Sequence, residues 1–319
     1  MKCISAFGLI VLLLTGCQSN YLTTPLKNTP LHDAAEHGSL EVTKYLLKKG
    51  AKLDFQTYEG WTPLFAATFY NNNAVVTFLT SIDADITLRD KRGWTVLMQA
   101  AFNGNLLLVK HFISLGADIS AQTKGGVTAL QLAVAQNHIK VVKYLLKEGA
   151  DLDHSSATGW TAFLIASSQS REEMVHLLVE EGADTDVYNR KKETALHLVI
   201  DEGSLNLLQY FLKLDMDLSA KDKEGLTPLM DAAFFGEVSM VKLLHKNGAD
   251  IYAKDKRGQT ALMYASLHGE LEVVRYLLSQ GSLIDVKDKA GKTVIDLVRS
   301  DTDMKASLKA AMLAYLESF

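Results

Sequence analysis

Nine threonines, Thr29, Thr62, Thr95, Thr128, Thr161, Thr194, Thr227, Thr260 and Thr293, stand at an unbroken spacing of 33 residues. A fixed period of this length marks a chain built by stacking one small unit, each copy burying its apolar side against the next. A chain of 319 residues would ordinarily suggest two domains. Because the register does not break between Thr29 and Thr293, one repeat domain over 29–319 without an internal linker is expected.

The residues around each threonine say what the unit is made of. Thr followed by Pro, as at Thr29, Thr62 and Thr227, starts a helix, with the hydroxyl accepting from free first-turn amides and Pro preset for the first helical position. Seventeen residues after the threonine stands Leu46, Leu79, Phe112, Leu145, Leu178, Phe211, Leu244 or Leu277, inside a second helical pattern such as Val141-Val142-Lys143-Tyr144-Leu145-Leu146. Such side chains can be buried only against the neighbouring unit. The second helix is expected to stop at Gly50, Gly116, Gly149, Gly182, Gly248 and Gly281, where a left-handed cap costs glycine least, with Asp83 and Asp215 in the same register. Polar turns at Asp90–Gly93, Asp222–Gly225, Asp255–Gly258 and Asp288–Gly291 read as hairpin-like fingers. They lack the alternating oxygen ligands and closing Glu of a calcium loop. After Thr293 the finger is missing, and a helical stretch from about 303 to 316 is expected to cap the stack, the cap as a whole covering about 293–319.

Thr29-Pro-Leu-His-Asp-Ala, Thr62-Pro-Leu-Phe-Ala-Ala and Thr227-Pro-Leu-Met-Asp-Ala carry a recognisable pattern, reinforced by a glycine two residues before most of the threonines and Gly-Ala-Asp twenty-one after several. It resembles the ankyrin repeat, from about Asn28 to Phe319. The resemblance implies an all-α solenoid of about nine 33-residue helix-turn-helix units with short β-hairpin-like fingers, acting by protein binding without catalysis. It also implies that the residue before each threonine, and those seven and eight after it, point into a concave groove that receives partners. Those positions hold Trp61, Trp94 and Trp160, then Phe69 with Tyr70, Phe102, and Phe234 with Phe235. Large aromatics dominate interface energetics, so these are candidate partner-binding residues, with packing on the neighbouring finger as the alternative for the tryptophans. His32 and His197, three after their threonines, are implied to brace the turn, His138 takes the place of a Gly-His, and His37 and His268 share an inner-helix position.

No sequence word for catalysis or metal binding occurs: no Gly-x-Ser-x-Gly, no His-Glu-x-x-His, no Gly-x-x-x-x-Gly-Lys and no Cys pair for zinc. Neither catalytic residues nor a metal or other cofactor are expected. Asp201, Glu202 and nearby Glu193 read as a solvated acidic patch, because adjacent helical residues point about 100° apart and no partner that would raise a pKa is evident. The basic tips Lys91-Arg92, Arg190-Lys191-Lys192 and Lys256-Arg257 read as ordinary solvated turns.

The first residues have a separate logic. Lys2 precedes an apolar run from Ile4 to Leu14, broken by Ser5 and Gly8, that ends in Leu14-Thr15-Gly16-Cys17. The run is far short of the roughly 17 to 25 residues that span a bilayer and reads as a secretory signal. Leu-Thr-Gly-Cys resembles the bacterial lipobox, which implies removal of residues 1–16 and acylation of Cys17, the only cysteine then left. Several acyl chains, at about 0.8 kcal/mol per buried methylene, hold a protein on a membrane essentially permanently. Residues 17–28 form the acylated cysteine and a short linker, reaching on the order of 35 to 40 Å when fully extended. Gln18 rather than Asp after the cysteine implies, by likeness to enterobacterial sorting, the periplasmic face of the outer membrane of a Gram-negative bacterium. Loss of Lys2 leaves 32 basic against 37 acidic residues, a net charge of −5 that argues against nucleic acid and anionic lipid as partners. The expected protein is thus a monomeric, membrane-anchored scaffold for another protein. An immunity protein against a periplasm-acting toxin, a redox-protective accessory and a plain spacer are the alternatives. Cys17→Ser is expected to abolish acyl labelling of the chain in cells; a variant that stays fully lipid-labelled contradicts the lipobox reading.

Overall fold

A computed structural model describes residues 28–319. The signal segment 1–16, Cys17 and the linker up to residue 27 lie outside the described residues. Among the described residues there are eighteen helices in nine consecutive pairs, and the one regular β pairing is an isolated antiparallel bridge between Tyr188 and Thr194. The expected all-α architecture of repeated helix-turn-helix units is what the chain adopts.

The chain divides into two compact units, residues up to 166 with 173–183, and residues 167–172 with 184–319. In the first, α1 (Pro30–Glu36), α3 (Pro63–Phe69), α5 (Val96–Phe102) and α7 (Ala129–Ala135) form an inner row in which each helix packs on the next. The outer helices are α2 (Leu40–Lys48), α4 (Asn73–Ser81), α6 (Leu106–Ser114) and α8 (Ile139–Lys147), with α2 packed on α4 and α6 on α8. The division falls within α9 (Ala162–Ser168) and α10 (Glu172–Glu180). In the second unit the inner row is α11 (Ala195–Asp201), α13 (Pro228–Phe234), α15 (Ala261–His268) and α17 (Val294–Ser300). Its outer row is α12 (Leu205–Lys213), α14 (Val238–Lys246) and α16 (Leu271–Ser279), and α18 (Ala306–Leu316) closes on α17.

The threonines start the inner helices as expected. Thr62 Oγ1 accepts from the Phe65 amide at 3.0 Å and Thr95 Oγ1 from Met98 at 3.2 Å, with equivalent caps at Thr128, Thr161, Thr227 and Thr293. Paired small residues such as Ala66-Ala67, Ala100-Ala101 and Ala232-Ala233 are buried, which lets inner helices approach closely. The outer-helix residue seventeen after the threonine is fully buried at Leu79, Phe112, Leu145, Leu178, Phe211, Leu244 and Leu277. Leu46 is only half-buried, because its helix pair has one described neighbour rather than two.

The fingers are hairpin-like in their backbone pattern. The Asp90 amide donates to the Trp94 carbonyl at 3.0 Å, and the same bond recurs at Thr57–Trp61, Thr123–Val127, Asp222–Leu226 and Asp255–Gln259. One further bond joins successive fingers within each unit, Lys91 N–H to Glu59 O at 2.9 Å and Lys124 N–H to Arg92 O at 2.8 Å in the first. The finger aspartates organise their own turns: Asp90 Oδ1 accepts from the amides of Arg92 and Trp94, both at 2.8 Å, and Asp222, Asp255 and Asp288 repeat this.

Two glycine registers serve different needs. A side chain at Gly50, Gly116, Gly149 or Gly248 would meet nothing within 4 Å, so only the positive φ selects glycine there, and Asp83 (φ 66°) and Asp215 (φ 56°) substitute tolerably. At Gly60, Gly93, Gly225 and Gly258 a Cβ would also lie 2.8 to 3.0 Å from backbone of the next finger. Lys192 occupies that second register at φ 61°, and Ser170 takes the interhelix glycine's place at φ 50°. A non-Gly residue held there costs of order 1 kcal/mol or more. We therefore expect the Tyr188–Glu193 turn to exchange its amide hydrogens faster than the other fingers, and Lys192→Gly to raise stability by up to about 1 kcal/mol. Equal protection of this turn and its counterparts contradicts the expectation.

Candidate functional site

The inner helices and the finger stems carry the candidate residues, and the structure sorts them by exposure. In the first unit Trp61 stacks against Phe65 and Phe69, with ring centroids 5.2 and 4.9 Å apart, and Phe69 meets Tyr70 edge-on at 5.0 Å. Tyr70 is 46% exposed, while Trp61 and Phe69 are half-buried. One repeat on, Trp94 repeats the contact with half-buried Phe102 at 5.4 Å. Trp94 itself is only 2% exposed, and the Arg92 guanidinium covers its ring at 4.7 Å. Trp160 is 8% exposed. The expectation of open groove positions therefore needs correction for these two tryptophans, which pack inside the repeats. What remains accessible in this unit is a patch formed by Trp61, Phe69, Tyr70 and Phe102. Burial, with Glu36 nearby, pushes the Tyr70 phenol above its ordinary pKa.

In the second unit Phe234 and Phe235 meet edge-on at 4.9 Å, and His268 lies 4.0 Å from the Phe234 ring. Phe235 is 43% exposed. Beside them a cavity of about 130 Å³ is lined by Glu193, His197, Leu198, Asp201, Asp222, Leu226, Asp231 and the two phenylalanines. Asp201 and Glu202 are exposed and Glu193 is half-buried, so the patch is solvated as expected, but it borders a hollow shared with Asp222 and Asp231. Asp231 stands four residues into α13 and is half-buried, and its carboxyl has no hydrogen-bond or ion-pair partner among the described residues. Burial holds that carboxyl well above the ordinary carboxylate range, and Asp201, Asp222 and Glu193 push the same way. Burial also raises Asp201, with Glu193 adding and Lys191 opposing. Asp222 and Asp231 were missed because they lie one repeat further along the chain. Stacking positions at a separation of about 33 residues, rather than reading neighbours along one helix, is the signal that finds them.

The histidines are structural braces. His32 Nδ1 lies 2.9 Å from Thr29 Oγ1 and its Nε2 donates to the Trp61 carbonyl of the next repeat at 2.9 Å. His197 repeats this with Thr194 at 2.8 Å and the Leu226 carbonyl at 3.1 Å. Both ring nitrogens are thus engaged, and burial lowers the pKa of each ring. His138 instead reaches the Phe102 carbonyl with Nε2 at 2.9 Å. The basic finger tips are likewise partly engaged, since Arg92 Nε donates to Asp90 Oδ2 at 2.9 Å and the Arg257 guanidinium to the Tyr264 hydroxyl at 2.6 Å.

The raised Asp231 carboxyl has a stability consequence with a definite sign. Stability from a carboxyl whose folded pKa exceeds its unfolded one is fully present below the ordinary carboxylate range and is lost as pH rises through the folded value. Asp231→Asn removes that loss. The variant is expected to be more stable than wild type at pH 7.5, with the difference shrinking towards pH 4 in parallel urea titrations. A difference that does not change with pH contradicts the assignment.

A family model described as ankyrin repeats in three copies matches residues 1–90, 97–189, 172–255 and 220–290. No curated protein matches the chain. The matched residues cover most of the chain and coincide with the threonine-capped inner helices, buried outer-helix residues and hydrogen-bonded fingers described above, and the protein belongs to the ankyrin-repeat family.

Proposed function

We propose that the protein is a membrane-anchored periplasmic scaffold that binds another protein through the inner-helix face of its repeats. Ankyrin-repeat proteins are in general non-catalytic interaction scaffolds, which supports the binding role. The observation that carries the reading is the accessible aromatic patch of Trp61, Phe69, Tyr70 and Phe102, with Tyr70 nearly half exposed. A tyrosine and a tryptophan supply large, rigid contact area at low entropic cost, and exposing them has no folding benefit. Anchoring is supported by Lys2, the apolar run to Leu14 and Leu14-Thr15-Gly16-Cys17, with the outer membrane suggested by Gln18. Among the described residues no helix is long and apolar enough to cross a membrane.

Burial decides how this is tested. Trp94 is core, so Trp94→Ala is expected to cost about 3–5 kcal/mol of stability and reports nothing on binding. Trp61→Ala combined with Tyr70→Ala is expected to weaken capture of a periplasmic partner thirtyfold or more, the loss of about 2 kcal/mol typical of an interface anchor. Its melting point should stay well above that of Trp94→Ala. If the double variant melts as early as Trp94→Ala and still captures what the wild type captures, the patch is packing and the binding surface lies elsewhere.

A further inference from the structure

We propose that a hollow between the fingers of the second unit, walled by Lys192, Lys221, Lys223, Lys254 and Lys256, binds an anion carrying more than one phosphate group. The hollow has a volume of about 300 Å³, and all five lysines are exposed residues on or beside three consecutive fingers. They come together because the unit repeats: Lys221 and Lys254 share one register, Lys223 and Lys256 another. Hydrogen bonds between the fingers, Lys223 N–H to Lys191 O at 2.7 Å and Lys256 N–H to Glu224 O at 3.1 Å, hold the registers side by side. The acidic balance of the chain as a whole conceals this local excess of positive charge.

What the lysines lack is an acidic partner. Among the described residues none of the five pairs with a carboxylate. Lys221 Nζ donates to the Lys254 carbonyl at 2.9 Å, Lys254 Nζ to the Lys287 carbonyl at 3.4 Å and Lys256 Nζ to the Lys223 carbonyl, so neutral oxygens hold three ammonium groups in place. Each ammonium carries three donors and keeps some for a ligand. The two carboxylates in the lining are directed at their own turns. Asp222 Oδ1 accepts from the amides of Glu224 and Leu226, both at 2.8 Å. Asp255 Oδ1 accepts from the amides of Arg257 and Gln259, while its Oδ2 accepts from the Tyr264 hydroxyl at 2.8 Å and from Arg257 Nε at 3.4 Å. Unpaired ammonium groups around one hollow repel one another, and a multivalent anion removes that repulsion as it binds.

The lining also selects the anion. It holds no aromatic ring on which a base could stack and no aliphatic residue to receive an acyl chain, so the charged group alone is recognised. A lone carboxylate or orthophosphate meets one or two ammonium groups and leaves the others facing each other. Linked or clustered phosphates, compact and multiply charged, match five point charges that lack the planar fork of arginine. A soluble polyphosphate and a cluster of lipid headgroups present this same chemistry.

Calorimetric titration of sodium tripolyphosphate into the full chain at moderate salt is expected to show one site, with orthophosphate bound at least tenfold more weakly. Lys221→Gln with Lys254→Gln is expected to weaken tripolyphosphate binding tenfold or more. Lys140→Gln with Lys143→Gln removes the same charge from exposed positions of α8 and should change it less than twofold. Sedimentation with phosphatidylglycerol vesicles is run in parallel, and because residues 1–16 are common to every chain, the difference between the two double variants is the readout. Vesicle binding lost in the finger variant alone assigns lipid headgroups as the source, whereas finger-dependent tripolyphosphate binding without it assigns a soluble polyphosphate. Trp61→Ala with Tyr70→Ala should bind tripolyphosphate as the wild type does, so this hollow and the aromatic patch fail independently. A wild type that binds neither probe, orthophosphate bound as tightly as tripolyphosphate, or equal weakening by the two charge-matched double variants overturns the proposal.

Discussion

Everything in this protein depends on the contact between one helix pair and the next. A pair of helices of about seven and nine residues is too short to be stable alone in water. Each outer helix places a leucine or phenylalanine where only a neighbouring pair can cover it, and from Leu79 to Leu277 these side chains have no accessible surface. Full burial of one such side chain contributes about 1.5–3 kcal/mol, repeated at every step of the stack. The buried alanines of the inner row and the finger-to-finger hydrogen bonds hold the spacing that makes this burial possible.

A stack of this kind is stabilised at its centre and frees its surface for variation. Hydrogen bonds that brace successive repeats come from His32, Gln131 and His197 in one register, each donating to the carbonyl of the residue before the next threonine. Those positions are therefore unavailable for chemistry, and the polar atoms with freedom to act lie elsewhere. In the first unit the free surface is aromatic, around Tyr70. In the second it is acidic, around Asp231, where burial and like charge act together on one carboxyl.

Most of the fold was legible because its determinants are local and periodic. Threonine caps, left-handed glycines and the buried residue seventeen positions on each have a stated physical reason and recur in one register. The limits were equally physical. Trp61, Trp94 and Trp160 occupy identical sequence positions, yet Trp61 is half-buried while Trp94, with Arg92 over its ring, and Trp160 are buried. Exposure depends on such neighbours, which periodicity does not encode. The acidic hollow escaped notice for a related reason: Asp201 and Asp231 are thirty positions apart, and only the superposition of repeats brings them to one cavity.

Site-specific photocrosslinking in cells tests the central claim most directly. A benzophenone amino acid placed at Tyr70, on the inner aromatic patch, is compared with the same probe at Tyr45, which is more exposed at 59% but lies on an outer helix. Binding through the inner face predicts a discrete crosslinked adduct from position 70 and none from position 45. An adduct from position 45 with none from position 70 would contradict it.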